Sequence, residues 1–164
     1  MTKRLHGTLP EPDESCTVLA VNLDYADTVS LTRLLGGSSW TLQEARTCRE
    51  AVARSRNTPV AVVLCTPQMP DGDWRSLLNR LHELPDAPAV IVASRLMEEH
   101  LWVEVLNRGG YDVLLLPFDR SELLRVLFLA WRTFKRDECA PMKSPASGSG
   151  AMPTTSRFHS QAVA

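Results

Sequence analysis

Between Cys16 and Arg136 the chain alternates short apolar runs with stretches whose apolar residues recur at helical spacing. Val18-Leu19-Ala20-Val21 predicts a buried strand, and Asp27 to Leu35 a helix stopped by Gly36-Gly37. Trp40-Thr41-Leu42 predicts a short second strand and Thr47 to Ser55 a second helix. Val60 to Cys65 is apolar and β-branched throughout, which suits a strand covered on both faces. Trp74 to Leu84 follows as a helix ending before Pro85, then a fourth strand over Ala89 to Ala93. Glu98 to Arg108 predicts a fourth helix closed by Gly109-Gly110, and Asp112 to Leu116 the fifth strand. The last helix opens on Asp119-Arg120-Ser121-Glu122, whose carboxylates stand at the N-cap and third positions of a capping-box pattern, and runs to about Lys135.

Five strand–helix units joined by short loops predict an α/β fold with a doubly wound, parallel, five-stranded sheet. In such sheets the working crevice lies beyond the C-terminal strand ends, where the strand order reverses. The ends of the first, third, fourth and fifth strands, and the loop after the third, are therefore the positions that matter.

The flanks are different material. Residues 1–15 carry Lys3 and Arg4 and then Pro10, Glu11, Pro12, Asp13 and Glu14, without the apolar core of a signal peptide, and read as a flexible segment. Residues 137–164 are rich in Ser, Ala, Pro, Gly and Thr and lack aliphatic clustering, so they read as a disordered tail. That leaves one domain over 16–136.

Composition narrows the function classes. A net charge of −1 over 164 residues offers no electrostatic reason to expect nucleic acid or an anionic membrane surface. The longest apolar runs, such as Val113 to Leu116, fall far short of the ~20 residues that span a bilayer. Cys16, Cys48, Cys65 and Cys139 form no CxxC pair, and His6, His82, His100 and His159 are scattered. This is the pattern of reduced thiols in a cytoplasmic protein, with no metal site of the zinc type and no cofactor called for. Cys65 ends a strand with nothing basic beside it in sequence, which reads as inert core and not as a redox thiol.

Four anchors carry a resemblance. They are Val18-Leu19-Ala20-Val21 before a polar turn, Met69-Pro70-Asp71-Gly72-Asp73 after the third strand, Gly109-Gly110-Tyr111-Asp112 before the fifth, and Pro117-Phe118-Asp119 after it. In this order and spacing the chain resembles the receiver domain of two-component response regulators, which implies a flavodoxin-like (βα)5 fold. In that family, acidic residues ending the first strand and an aspartate ending the third hold Mg²⁺. The aspartate accepts a phosphoryl group whose charge the metal and a lysine neutralise, and a Thr or Ser ending the fourth strand binds it.

Position by position, the resemblance implies a degenerate site. The acidic pair falls on Asn22 and Leu23, with Asp24 the carboxylate beside them. The acceptor falls on Thr66, the hydroxyl on Ala93 (followed by Ser94), the lysine on Leu116 and the mobile aromatic on Val113. Losing the metal ligands and the lysine together leaves a tolerable neutral pocket, where an isolated carboxylate would be costly. Thr66 reads as a small polar filler, and Asp71 and Asp73 as turn residues around Gly72.

The second feature is an apolar excess. Leu101-Trp102-Val103 and Val105-Leu106 put five apolar residues in six positions, where a helix lying on a sheet needs only a stripe. On the last helix Leu123, Leu127 and Phe134 form one stripe, and Leu124, Phe128 and Trp131 a second, with Arg120, Arg125, Arg132, Lys135 and Arg136 around them. Receiver domains, which this chain resembles, use the fourth helix, fifth strand and fifth helix as their partner or dimer face. Trp102, Val103, Val113, Leu124, Phe128 and Trp131 are the expected contact residues, for a protein partner or a second copy. The reading is a pseudo-receiver working through protein contacts. Its alternatives are a phosphorylatable regulator using Asp24 or Asp71, and a flavodoxin-like ligand-binding protein or small enzyme. The last lacks any Gly-rich phosphate loop or Ser/His/Asp arrangement.

Overall fold

The computed structural model describes residue 12 and residues 14–139, the side chains of 136–139 excepted. Five strands, β1 (Cys16–Val21), β2 (Trp40–Ala45), β3 (Val62–Cys65), β6 (Ala89–Ser94) and β7 (Asp112–Leu115), pair in parallel in the order β2-β1-β3-β6-β7. The expected doubly wound α/β fold is the fold of the protein. Between them lies an element the sequence pattern did not predict, an antiparallel hairpin of β4 (Gln68–Met69) and β5 (Gly72–Asp73).

Because side chains alternate along a strand, each central strand feeds two cores. Val18, Ala20, Val62, Leu64, Ile91, Ala93 and Leu114 point to one side, against α1 (Tyr25–Leu35) and α5 (Arg120–Cys139). Leu19, Val21, Val63, Cys65, Val90, Val92 and Val113 point to the other, against α2 (Cys48–Asn57), α3 (Trp74–His82) and α4 (Glu99–Asn107). Helix starts follow capping chemistry. Asp24 caps α1, Thr47 α2, Asp73 α3 and Asp119 α5, each accepting a bond from an N–H three residues on. Helix α4 ends where Gly109, at φ +92°, and Gly110 return N–H bonds to Leu106 and Val105. A Cβ at Gly110 would meet the Val105 side chain at 2.5 Å, so the turn after α4 requires glycine there.

Several boundaries shift. The first helix begins at Tyr25, two residues before the expected Asp27, because Asp24 is its cap. The second strand extends through the polar Gln43 and Glu44, since backbone pairing with Leu19 and Ala20 of β1 decides an edge strand's length. Helix α5 continues to Cys139, so the domain limit placed after Arg136 falls inside it. At the other end Ser15 Oγ lies 3.0 Å from Thr41 Oγ1, and Glu14 pairs with Lys135 of α5 at 3.7 Å. The remainder of the expected flexible ends lies outside the described residues.

Candidate functional site

The C-terminal ends of β1, β3, β6 and β7 meet where the strand order reverses, and the loops there build the crevice. Asn22 leaves β1 in the left-handed region (φ 57°), a conformation Asn tolerates better than most residues. Its side-chain amide donates to Thr66 Oγ1 at 3.1 Å and to the Gln68 carbonyl at 2.8 Å. The Thr66 hydroxyl in turn donates to the same carbonyl at 2.8 Å. The two residues that end β1 and β3 thus tie the crevice floor to the β4–β5 hairpin through neutral bonds. Leu23 packs against the α1/α5 core. Ala93 and Leu116 are buried in that core and bring no polar group to the crevice. Ser94 Oγ accepts from the Leu96 N–H at 3.2 Å, a local turn bond.

The nearby carboxylates all have partners. Asp24 accepts the Asp27 N–H at 2.8 Å, and its other oxygen meets Arg95 Nη2 at 3.0 Å. The amide bond, aided by Arg95, holds its carboxyl below the ordinary aspartate range. Among the described residues Asp27 is the buried charged side chain, and the same Arg95 nitrogen reaches it at 2.7 Å. Burial, reinforced by the charge of Asp24, pushes the Asp27 carboxyl up despite Arg95. Asp71 and Asp73 do more than shape a turn. Asp71 accepts from the N–H groups of Cys48 and Arg49 at 2.7 and 3.0 Å, capping α2 from the hairpin. Burial works against its charge, but those bonds hold its carboxyl low. Asp73 caps α3, and the Ser76 amide lowers its carboxyl.

Burial pushes the Cys65 thiol up strongly, and burial with the Asp71 charge pushes Cys48 up to about 11. Neither has the depressed pKa of a reactive thiol. Among the described residues no group of three His, Cys, Asp or Glu side chains converges to hold a metal ion.

The expected contact face divides under inspection. Leu124 and Val113 are corrections: Leu124 is fully buried between α5 and the sheet, and Val113 faces the core beneath α4. Most of the apolar excess on α5 serves packing, since Leu123, Leu124, Val126, Leu127 and Ala130 are all buried. Phe128 and Trp131 remain partly exposed, with ring centroids 5.6 Å apart and Arg132 over the Phe128 ring. Trp102 is half-buried, its indole N–H donating to Asp112 Oδ1 at 3.0 Å.

Helix α4 divides its excess, with Leu101 and Trp102 packed against the core. Val105 turns inward, and Glu104 turns to Arg75 at the start of α3 (Nε···Oε1 2.6 Å). Val103 and Leu106, one turn apart on the remaining side, are exposed. Leu115 on β7, and Leu96 and Met97 in the loop before α4, are exposed as well, while Tyr25 and Val29 are the exposed large apolar side chains of α1. Sequence reasoning missed Leu96, Met97, Leu115, Asp27 and Arg95.

The model of the response regulator receiver domain matches residues 18–128, most of the described chain. This chain belongs to that family. It is therefore a signal-transduction module of the two-component type, and the resemblance read from the four anchors holds. The receiver domain is 26% identical over 114 residues to the Escherichia coli K12 transcriptional regulatory protein ZraR, covering 70% of this chain and 26% of that one. The chain thus spans about a quarter of the length of the curated relatives it matches. The signal receiver domain of an HD domain-containing protein from Pseudomonas fluorescens Pf-5 superposes with a TM-score of 0.70 at 23% identity, covering 82% of this chain and 99% of that one. The beryllofluoride-activated NtrC4 receiver domain dimer superposes with a TM-score of 0.66 at 25% identity, covering 72% and 98%. No described helix is long and apolar enough to cross a membrane.

Proposed function

We propose that this receiver domain is a pseudo-receiver, a cytoplasmic module that signals through protein contact without aspartyl phosphorylation. The observation that carries the reading is the set of groups at the four strand ends. Asn22 and Thr66 bond to each other, Ala93 and Leu116 are aliphatic, and none supplies an acceptor carboxylate or a cation. Phosphoryl transfer depends on positioned charge, so a crevice without it has no means to stabilise the transferring group. A resident Mg²⁺ does not fit these donors. Asp24 and Asp27 are the nearest carboxylates, and a guanidinium and a helix cap already occupy them. Asp71, the other alternative acceptor, holds the start of α2.

The output face of this reading is the α4–β7 flank: Leu96, Met97, Val103, Leu106 and Leu115, with the half-buried Trp102 on the same helix. Exposed apolar groups of this kind mark contact sites on soluble domains. The occupant we favour is a second copy of the chain, since the similar NtrC4 receiver domain is described as a dimer. Incubating the chain with acetyl phosphate and Mg²⁺ and weighing the intact protein tests the first half, with no phosphoryl adduct expected. An adduct that disappears in Asp24→Asn or Asp71→Asn would establish a phosphorylatable regulator instead. Sedimentation over a concentration series tests the second half, with self-association expected.

A further inference from the structure

Arg95 is the first residue after β6, and its side chain leaves its own loop to reach α1, 68 and 71 positions away in sequence from the two carboxylates it meets. One guanidinium nitrogen serves both Asp24 and Asp27. The two acids differ in setting: the Asp27 side chain is 10% exposed and that of Asp24 58%. Arg95 therefore contacts one carboxylate the fold has enclosed and one at the mouth. Without the cation these like charges would face each other across the first turn of α1.

The residues directly after Arg95 are Leu96 and Met97, 65% and 56% exposed. The other bond recorded for this loop is local, from the Leu96 N–H to Ser94 Oγ. Glu98, the N-cap of α4, makes no side-chain capping bond. Among the described residues, the long-range side-chain hydrogen bonds and ion pairs tying this loop to the rest of the domain are those of Arg95. Two exposed apolar side chains on a loop offer a useful contact only if the loop holds one position, because ordering it on binding costs affinity.

We propose that Arg95 is a tether. Its ion pair with Asp24 and Asp27 holds the β6–α4 loop against α1 and sets the position in which Leu96 and Met97 meet a second copy of the chain. The inference rests on reading the α4–β7 flank as the binding face. It adds a route by which an event at the first turn of α1 is felt there. Arg95, Asp24 and Asp27 are positioning residues and touch no partner themselves.

The test follows backbone hydrogen exchange over residues 94–98, together with self-association by sedimentation, in the full chain. Arg95→Ala and the double variant Asp24→Asn/Asp27→Asn, which keeps a capping oxygen on α1, should each raise exchange in this segment about fivefold. Each should weaken association by a similar factor, with circular dichroism unchanged. Arg95→Lys, which keeps the charge, should recover part of both effects. Leu96→Ser should weaken association with exchange at its parental rate. Unchanged exchange in both tether-breaking variants overturns the tether, as does raised exchange with association unaltered. A parental chain that stays monomeric overturns the binding-face reading instead, and exchange alone then decides whether Arg95 holds the loop.

Discussion

The crevice and the α4–β7 flank meet at the β6–α4 loop, and they treat their side chains in opposite ways. In the crevice the polar groups are turned on one another: Asn22 to Thr66, Asp24 and Asp27 to Arg95, Asp71 to the start of α2. On the flank, Val103, Leu106, Leu115, Leu96 and Met97 are apolar and stand in water. A buried polar group must find a partner, so a crevice that satisfies its own groups keeps few directed bonds for a ligand. Exposed aliphatic surface has no internal remedy and gains free energy only when something covers it, roughly 25 cal/mol per Å². On the proposed reading, the difference is how a receiver fold would signal without phosphoryl chemistry at its strand ends.

The sharpest way to break the comparison is to exchange core and flank within one apolar set. Leu124 is fully buried, so Leu124→Ala should cost about 3 kcal/mol and lower the melting temperature markedly. Val103→Glu/Leu106→Glu, on exposed positions, should change stability by less than about 1 kcal/mol. The same pair should weaken self-association by about 100-fold. Thermal melts and sedimentation on the two variants decide it. If the charged pair unfolds the protein, the α4 side chains belong to the core. If it leaves association untouched, the interface lies elsewhere.

That experiment is needed because sequence separates these roles only in part. Short apolar runs between turn residues were enough to place all five parallel strands, and helical spacing placed all five helices. The four strand ends that meet at the crevice followed from topology alone. The two-residue hairpin was not legible, because β4 and β5 are too short to show a period. Nor was the capping of α2 by Asp71, 23 positions from Cys48 and paired only once the sheet has formed. Arg95 stands before the apolar Leu96 and Met97, with no local signal that its partners lie at the start of α1. The second apolar row of α5 misled for a related reason. Leu124 continues a surface-like stripe with Phe128 and Trp131, but it packs into the α1/α5 core while the other two stay partly exposed.

A smaller effect sharpens the account of the crevice floor. Thr66→Val removes the hydroxyl that accepts from Asn22 and donates to the Gln68 carbonyl, while the Asn22 bond to that carbonyl survives. The expected loss is about 1 kcal/mol in a denaturant melt, since one direct bond from the Asn22 amide remains. Thr66→Ser, which keeps the oxygen, should lose less. A larger loss in Thr66→Ser than in Thr66→Val would mean that the methyl group, and not the hydroxyl network, holds the hairpin.

The smallest effect concerns the charge balance at the crevice mouth. Asp27 has its carboxyl raised by burial, so the folded state favours its protonated form and the ionised form burdens the fold at neutral pH. Asp24, Asp71, Asp73, Glu50 and Glu104 are held low by amide and guanidinium partners. Their contribution to stability is present above the unfolded carboxylate range and is lost as pH falls through their depressed values. Acidification from neutral pH should therefore destabilise the domain below about pH 4, with Asp27 alone pulling the other way. Asp27→Asn removes that opposing carboxylate. The variant should melt slightly above the parent at neutral pH, by less than about 1 kcal/mol, and the gap should close as pH falls through the raised Asp27 value. A variant that is less stable than the parent at neutral pH, with the gap closing in acid, would reverse the sign. It would show that the attraction of Arg95 exceeds the cost of burying Asp27, making the ion pair a source of stability as well as of position.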